Sequence, residues 1–137
     1  MRDQGSKPPI EPIPPGLDRT AREVVDAAHS VHRALGPGLL ESVYEACLVH
    51  ELGKRGLKVD RQVAVPITYD NVRLDAGLRL DLVVENSLLV ELKAVETVLP
   101  LHQAQVLTYL KLSSLRLGLL INFNVPAIRD GIKRIAL

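Results

Sequence analysis

Hydrophobic positions recur along this chain in two rhythms, one of three to four residues and one of two. Before either begins, residues 1–16, "MRDQGSKPPIEPIPPG", carry five of the nine prolines and no periodicity. That composition predicts a disordered or extended tail ahead of one domain at 17–137. "TARE" at 20–23 has the form of a capping box, and Val24, Val25, Ala28, Val31 and Leu35 follow at helical spacing until "GPG" at 36–38 breaks it. A second helix is expected from about Leu40 to Arg55, striped by Val43, Ala46, Cys47 and Leu52 and stopped by Gly56. The rhythm then shortens. "LKVDRQVAVPITYD" at 57–70 alternates like a strand, with Pro66 marking an edge or a bulge. Residues 78–84 and 88–95 give two more strands, Pro100 opens a helix running to about Arg116, "LGLLINF" at 117–123 reads as a buried strand, and 131–136 as a short closing one. This order predicts an α/β fold with a mixed central sheet flanked by helices.

Within "LRLDLVVENSLLVELKAVE", residues 78–96, three charges interrupt runs that otherwise read as buried strand. "ENS" at 85–87 suits a three-residue hairpin loop pairing Val84 with Leu88, which sets Asp81 opposite Glu91. A side-chain period of two then puts Leu80, Leu82, Val84, Leu88, Val90 and Leu92 on one face and Arg79, Asp81, Glu91 and Lys93 on the other. Like charges directly opposed across strands destabilise a sheet unless something lies between them. A hard divalent cation such as Mg²⁺ takes carboxylate oxygens, and Lys93 on the same face could position a water and neutralise developing charge. The competing reading is the solvated side of an exposed hairpin. Helices covering both faces of the sheet would argue against it.

Composition narrows the picture. The 137 residues, 47% hydrophobic and 24% charged, are those of an ordinary globular domain. No apolar run approaches the roughly 18 residues of a membrane span, and the N-terminus lacks the apolar centre of a signal peptide, so the expected location is cytoplasmic, away from membranes. Cys47 is the only cysteine, which excludes an intramolecular disulfide and cysteine-rich zinc sites. A net charge of +1 leaves nucleic-acid contact to local patches. The cluster Lys54, Arg55, Lys58 and Arg61 is better read as cations favoured at a helix C-terminus than as a phosphate patch.

The arrangement of Asp81, Glu91 and Lys93 across a hairpin, with an acid on an earlier helix and a helix after it, resembles the PD-(D/E)xK nuclease superfamily. "GLLESVY" at 38–44 also matches the bacterial GxxExxY family, and the likeness continues through "VELKAVE" at 90–96, "HQAQVLTYL" at 102–110 and "GLLINF" at 118–123. The resemblance implies a restriction-endonuclease-like core that cuts DNA or RNA. In it, Asp81, Glu91 and the carbonyl of Leu92 would hold Mg²⁺ or Mn²⁺, Glu41 would complete the site, and Lys93 would assist the attacking water. Gln105 and Tyr109 match the QxxxY motif of an exonuclease-like branch, whose helix faces the cleft. Leu80 stands where the superfamily name has Pro. Tyr44 shares a helix face with Glu41 and either orients that carboxylate or fills the core. His102, on the face of Gln105 and Tyr109, either borders the cleft or sits at an exposed helix start. So small a chain would have little surface for reading a sequence, which suggests a homodimer or a partner protein. The alternative is a non-catalytic nucleic-acid- or protein-binding module of the same fold.

Overall fold

The computed structural model describes residues 11–137. The tail expected at 1–16 falls mostly on residues 1–10, outside the described residues. Helix α1 spans Pro15–Leu35, with Pro15 at its first turn and Asp18 at its positive end. The helix therefore starts five residues before Thr20, the expected cap. Thr20 is buried within it, its hydroxyl donating to the Gly16 carbonyl at 3.1 Å. The reason is tertiary: starting at Pro15 lets Leu17 reach the core, and that burial overrides the local cap pattern. Gly36 and Gly38, at φ 71° and 97°, turn the chain into α2, Glu41–Lys54.

Seven strands follow: β1 Val59–Ala64, β2 Ile67–Tyr69, β3 Val72–Leu74, β4 Arg79–Val84, β5 Leu88–Lys93, β6 Leu117–Asn122 and β7 Ile132–Ala136. Helix α3, Pro100–Ser113, joins β5 to β6, and a single 3-10 turn, Ile128–Gly131, precedes β7. The main sheet has the order β1-β4-β5-β6-β7, with β5 and β6 parallel and every other pair antiparallel. Only the parallel pair needs a crossover, which α3 supplies. The fold is a mixed α/β sheet flanked by helices. Leu82, Val84, Leu88, Val90 and Leu92 pack with α1 and α2 in one core, while Val83, Leu89 and Leu120 pack with Val106 and Leu110 of α3 in a second. Both faces are covered. Among the described residues no helix is long and apolar enough to cross a membrane.

Two local expectations change. The strand expected over 57–70 is broken at Pro66, which has no amide to continue a ladder, and its outer half pairs with β3 instead. Together β1, β2, β3 and β4 form one long antiparallel hairpin, whose tip turns at Asp70 and Asn71 with φ 54° and 60°. Leu80 also leaves the face expected for it and joins the second core, against α3. Strict alternation fails there because Gln62, at φ 49°, kinks β1 between the pairs Arg61↔Leu82 and Val63↔Leu80. The amide of Asp81 has meanwhile left the strand ladder for a side chain.

The basic cluster is absorbed by ion pairs. Arg55 binds Glu51, Asp26 and Glu23, Lys54 meets Glu51, Lys58 meets Asp60, and Arg61 meets Glu45. No phosphate patch forms there.

Candidate active site

The site opens where β4 and β5 stop pairing through their backbones. Their register runs Val84↔Leu88, Val83↔Leu89, Leu82↔Val90, so the next pair along is Asp81 with Glu91. There carboxylates take the place of carbonyls. The Asp81 amide donates to Glu91 Oε2 at 2.8 Å, and the Leu92 amide donates to Asp81 Oδ2 at 2.8 Å. Each strand thereby holds the other's carboxylate, fixing both side chains and leaving the second oxygen of each outside these bonds.

The electrostatics are those of crowded acids. Glu91 is only 4% exposed; burial first, then the charge of Asp81, push its carboxyl up to about 8, against the pull of the Asp81 amide and of Lys93. Asp81 is raised by burial and by Glu45, with the Leu92 amide and Lys93 opposing. Glu41, the first residue of α2, is exposed over much of its surface, yet its carboxyl is raised too, by desolvation and then by Asp81. Lys93 is the cation common to all three, and its charge favours the ionised form of each.

Helix α3 contributes from the other side. The half-buried Tyr109 hydroxyl is raised by desolvation and by the charges of Glu91 and Asp81, while Gln105 beside it works the other way. The fold therefore brings Glu41, Asp81, Glu91, Lys93, Gln105 and Tyr109 to one place. Two other candidates serve elsewhere. His102 accepts the Leu99 amide on Nδ1 at 3.0 Å, tying down the first turn of α3. Tyr44 is fully buried, and its hydroxyl bonds to backbone groups rather than to the Glu41 carboxylate. Its hydroxyl donates to the Gly36 carbonyl at 2.6 Å and accepts from the Leu39 amide at 3.1 Å, and its ring stacks on Phe123 with centroids 4.6 Å apart. It holds the corner from which Glu41 projects. Tyr44→Phe leaves those two backbone groups unpaired and is expected to cost about 1–2 kcal/mol, a melting-temperature loss of several degrees by calorimetry. An unchanged melting temperature would show the hydroxyl to be dispensable.

Sequence reasoning missed two residues. Glu45, buried one turn after Glu41, accepts from Arg61 on Oε2 at 2.9 Å and from Gln62 on Oε1 at 3.0 Å. The spacing of Glu41 and Glu45 at i and i+4 was the available signal. Asn122, buried and paired in register with Lys93, donates to the Val95 carbonyl at 2.9 Å and accepts the Val95 amide at 3.1 Å. It pins the chain two residues beyond Lys93. A polar residue ending an apolar strand offered only a faint hint.

A family model described as the PD-(D/E)XK nuclease superfamily matches residues 18–135, nearly the whole described chain. The chain belongs to the PD-(D/E)XK nuclease superfamily. No curated protein and no solved structure matches it. Membership makes a nucleic acid the general class of substrate and nuclease activity the general class of function. PD-(D/E)XK nucleases typically use divalent metal ions, and the donors gathered here, carboxylate oxygens that repel one another, are those a hard cation takes. Among the described residues, however, no three His, Cys, Asp or Glu side chains converge closely enough to enclose a metal ion. The donor chemistry fits; a closed cage is absent.

Proposed function

We propose that this PD-(D/E)XK protein is a metal-dependent nuclease hydrolysing DNA or RNA phosphodiester bonds, of the GxxExxY kind, with its domain at 17–137. Asp81, Glu91, Glu41 and the Leu92 carbonyl would hold Mg²⁺ or Mn²⁺. The observation that supports this most is the raised Asp81–Glu91–Glu41 group beside one half-buried lysine, at the point where β4 and β5 part. Carboxylates that disfavour one another's ionisation are stabilised by a cation. A bound divalent ion would supply Lewis acidity and a more acidic water. The chain's own part is positional. The exchanged amide bonds hold Asp81 and Glu91 rigid, and Lys93 sits where its ammonium can orient the attacking water and offset charge on the phosphoryl oxygens. Water oxygen attacks phosphorus and gives up a proton, the P–O bond to the leaving nucleotide breaks, and the departing oxygen takes up a proton, so the water's two hydrogens end one on each product. All six side chains come from one chain, so no second copy is needed to complete the group.

The test is cleavage. Purified protein with Mg²⁺ or Mn²⁺ is expected to cut at least one of a panel of single-stranded, double-stranded and branched DNA and RNA substrates, with chelation abolishing the products. A panel left uncut under both metals would overturn the nuclease reading. The alternative is a non-catalytic binding module of the same fold, which binding without cutting would establish. Gln105 and Tyr109 are proposed to shape the cleft. Gln105→Ala and Tyr109→Phe are expected to weaken cleavage or nucleic-acid affinity several-fold with little change in melting temperature, since neither opens a core cavity. A large stability loss with unchanged activity would make them packing residues.

A further inference from the structure

The long hairpin does not end where the sheet ends. Its root pairs continue from Arg61↔Leu82 through Ala64↔Arg79, and the Val65 amide still reaches the Leu78 carbonyl at 3.0 Å. Beyond the break at Pro66 and Gly77, β2 and β3 pair alone as a two-stranded ribbon, hydrogen-bonded to no third strand. The pairs Ile67↔Leu74 and Tyr69↔Val72 put four apolar side chains on one face of it, with Thr68 and Arg73 on the other. Tyr69 is 73% exposed, Val72 52% and Leu74 44%. An isolated two-stranded ribbon with an apolar face in water is at best marginally stable, so this face calls for an occupant.

Three observations choose among occupants. The ribbon extends from the end of β4 that leads into Asp81, with Ala64 and Arg79 at its root only two residues from Gln62 and Asp81, so it is continuous with the strands that carry the candidate site. Tyr69, one of only three tyrosines in a chain with one phenylalanine and no tryptophan, is the most exposed aromatic residue available for stacking. The three exposed side chains present on the order of a few hundred Å², well short of the roughly 800 Å² per partner that a stable dimer buries. Base–aromatic stacking needs no larger area and tolerates any base, but requires that the base be unpaired. Arg73 and Arg79 form no ion pair among the described residues, but Asp70 and Asp75 offset their charge along the same segment. Stacking, not phosphate attraction, is then the main contact.

We propose that the β2–β3 ribbon is a substrate-gripping arm that stacks an unpaired nucleotide on Tyr69, directing this protein toward single-stranded or splayed nucleic acid. This rests on the nucleic-acid reading of the site above, and its test is binding, read without metal and without cleavage. Labelled oligothymidylate and oligouridylate of about 20 nucleotides, longer than the roughly 4–16 nucleotides a single-strand site covers, are titrated in EDTA beside a blunt duplex. The wild type is expected to prefer a single strand. Tyr69→Ala should weaken that binding roughly five- to hundredfold, by a similar factor at low and high salt, while Tyr69→Phe retains most of it. Tyr69→Trp places the chain's sole tryptophan on the arm, and its fluorescence should be quenched as the oligonucleotide saturates. Four results would overturn the proposal: no preference for single strands, Tyr69→Ala within twofold of wild type, an unquenched Trp, or a wild-type dimer that Tyr69→Ala makes monomeric. That last result would assign the face to a second copy of the chain. Failure of cleavage alone would sink the nuclease reading and leave this binding result standing.

Discussion

Glu91→Gln is expected to make the metal-free protein more stable at pH 8, and to remove its response to metal. The wild-type carboxyl is lifted from 4.5 to about 8 by burial and by Asp81. Between those values the folded state keeps a proton that the unfolded chain has lost, so this group's contribution is fully present below about pH 4.5 and is lost as pH rises through 8. A shift of that size corresponds to an upper bound of about 5 kcal/mol, part of which the neighbouring acids share. Glutamine cannot ionise, and its amide oxygen can still accept from Asp81. The variant's stability in EDTA should therefore flatten across pH 5–8, where the wild type declines. Millimolar Mn²⁺ acts oppositely on the two. Binding only the folded wild type, at a hundredfold excess over Kd it adds about 2.7 kcal/mol, roughly 5–10 °C in melting temperature for a domain of this size. The variant should show little or none. Calorimetry in EDTA and in Mn²⁺ across this pH range checks both halves. A wild type insensitive to Mn²⁺, or equal pH slopes in the two proteins, would remove the site.

Lys93→Ala is expected to lower cleavage by roughly 10²–10³-fold or more, the loss that follows removal of one preorganised charge or donor from a reacting centre. Its effect on stability should run opposite to that of Glu91→Gln. Lys93 is the cation that favours ionised Glu41, Asp81 and Glu91, so without it the metal-free protein should lose stability as pH rises toward 8. The two substitutions thus both reduce cleavage while moving neutral-pH stability in opposite directions. Global damage to the fold could not produce that pattern. Single-turnover cleavage with paired melting curves decides it, and a Lys93→Ala protein that cuts as fast as wild type would exclude a part for this lysine in the chemistry.

Much of the architecture was legible in the chain because hydrophobic rhythm and turn chemistry act over short distances. Pro100, the "GPG" corner and the "ENS" loop are local signals, and the helices, the strands and the Val84↔Leu88 pairing occur close to where these put them. The approach of Asp81 to Glu91 follows from that register and from a side-chain period of two. Two misplacements share one cause. Thr20 as a cap and Leu80 on the first face were read from local pattern, while the burial of Leu17 and the packing of Leu80 against α3, past the kink at Gln62, redirected the chain for reasons lying across the fold. The break at Pro66, where an edge or a bulge was expected, is itself local, since proline has no amide to continue the ladder.

The sequence by itself determined which residues carry charge inside apolar strands, and so where chemistry could lie; it also determined the order of helices and strands, because propensity and periodicity are properties of neighbours. Only the tertiary structure decided what surrounds those charges. The amides of Asp81 and Leu92 binding the opposite strand's carboxylate, Glu41 and Glu45 arriving from α2, Tyr109 arriving from α3, and Asn122 pinning the chain after Lys93 all join segments remote in sequence. Desolvation is likewise a property of the whole fold. Glu91 is one glutamate among many until β4, β6 and the helices exclude water from it.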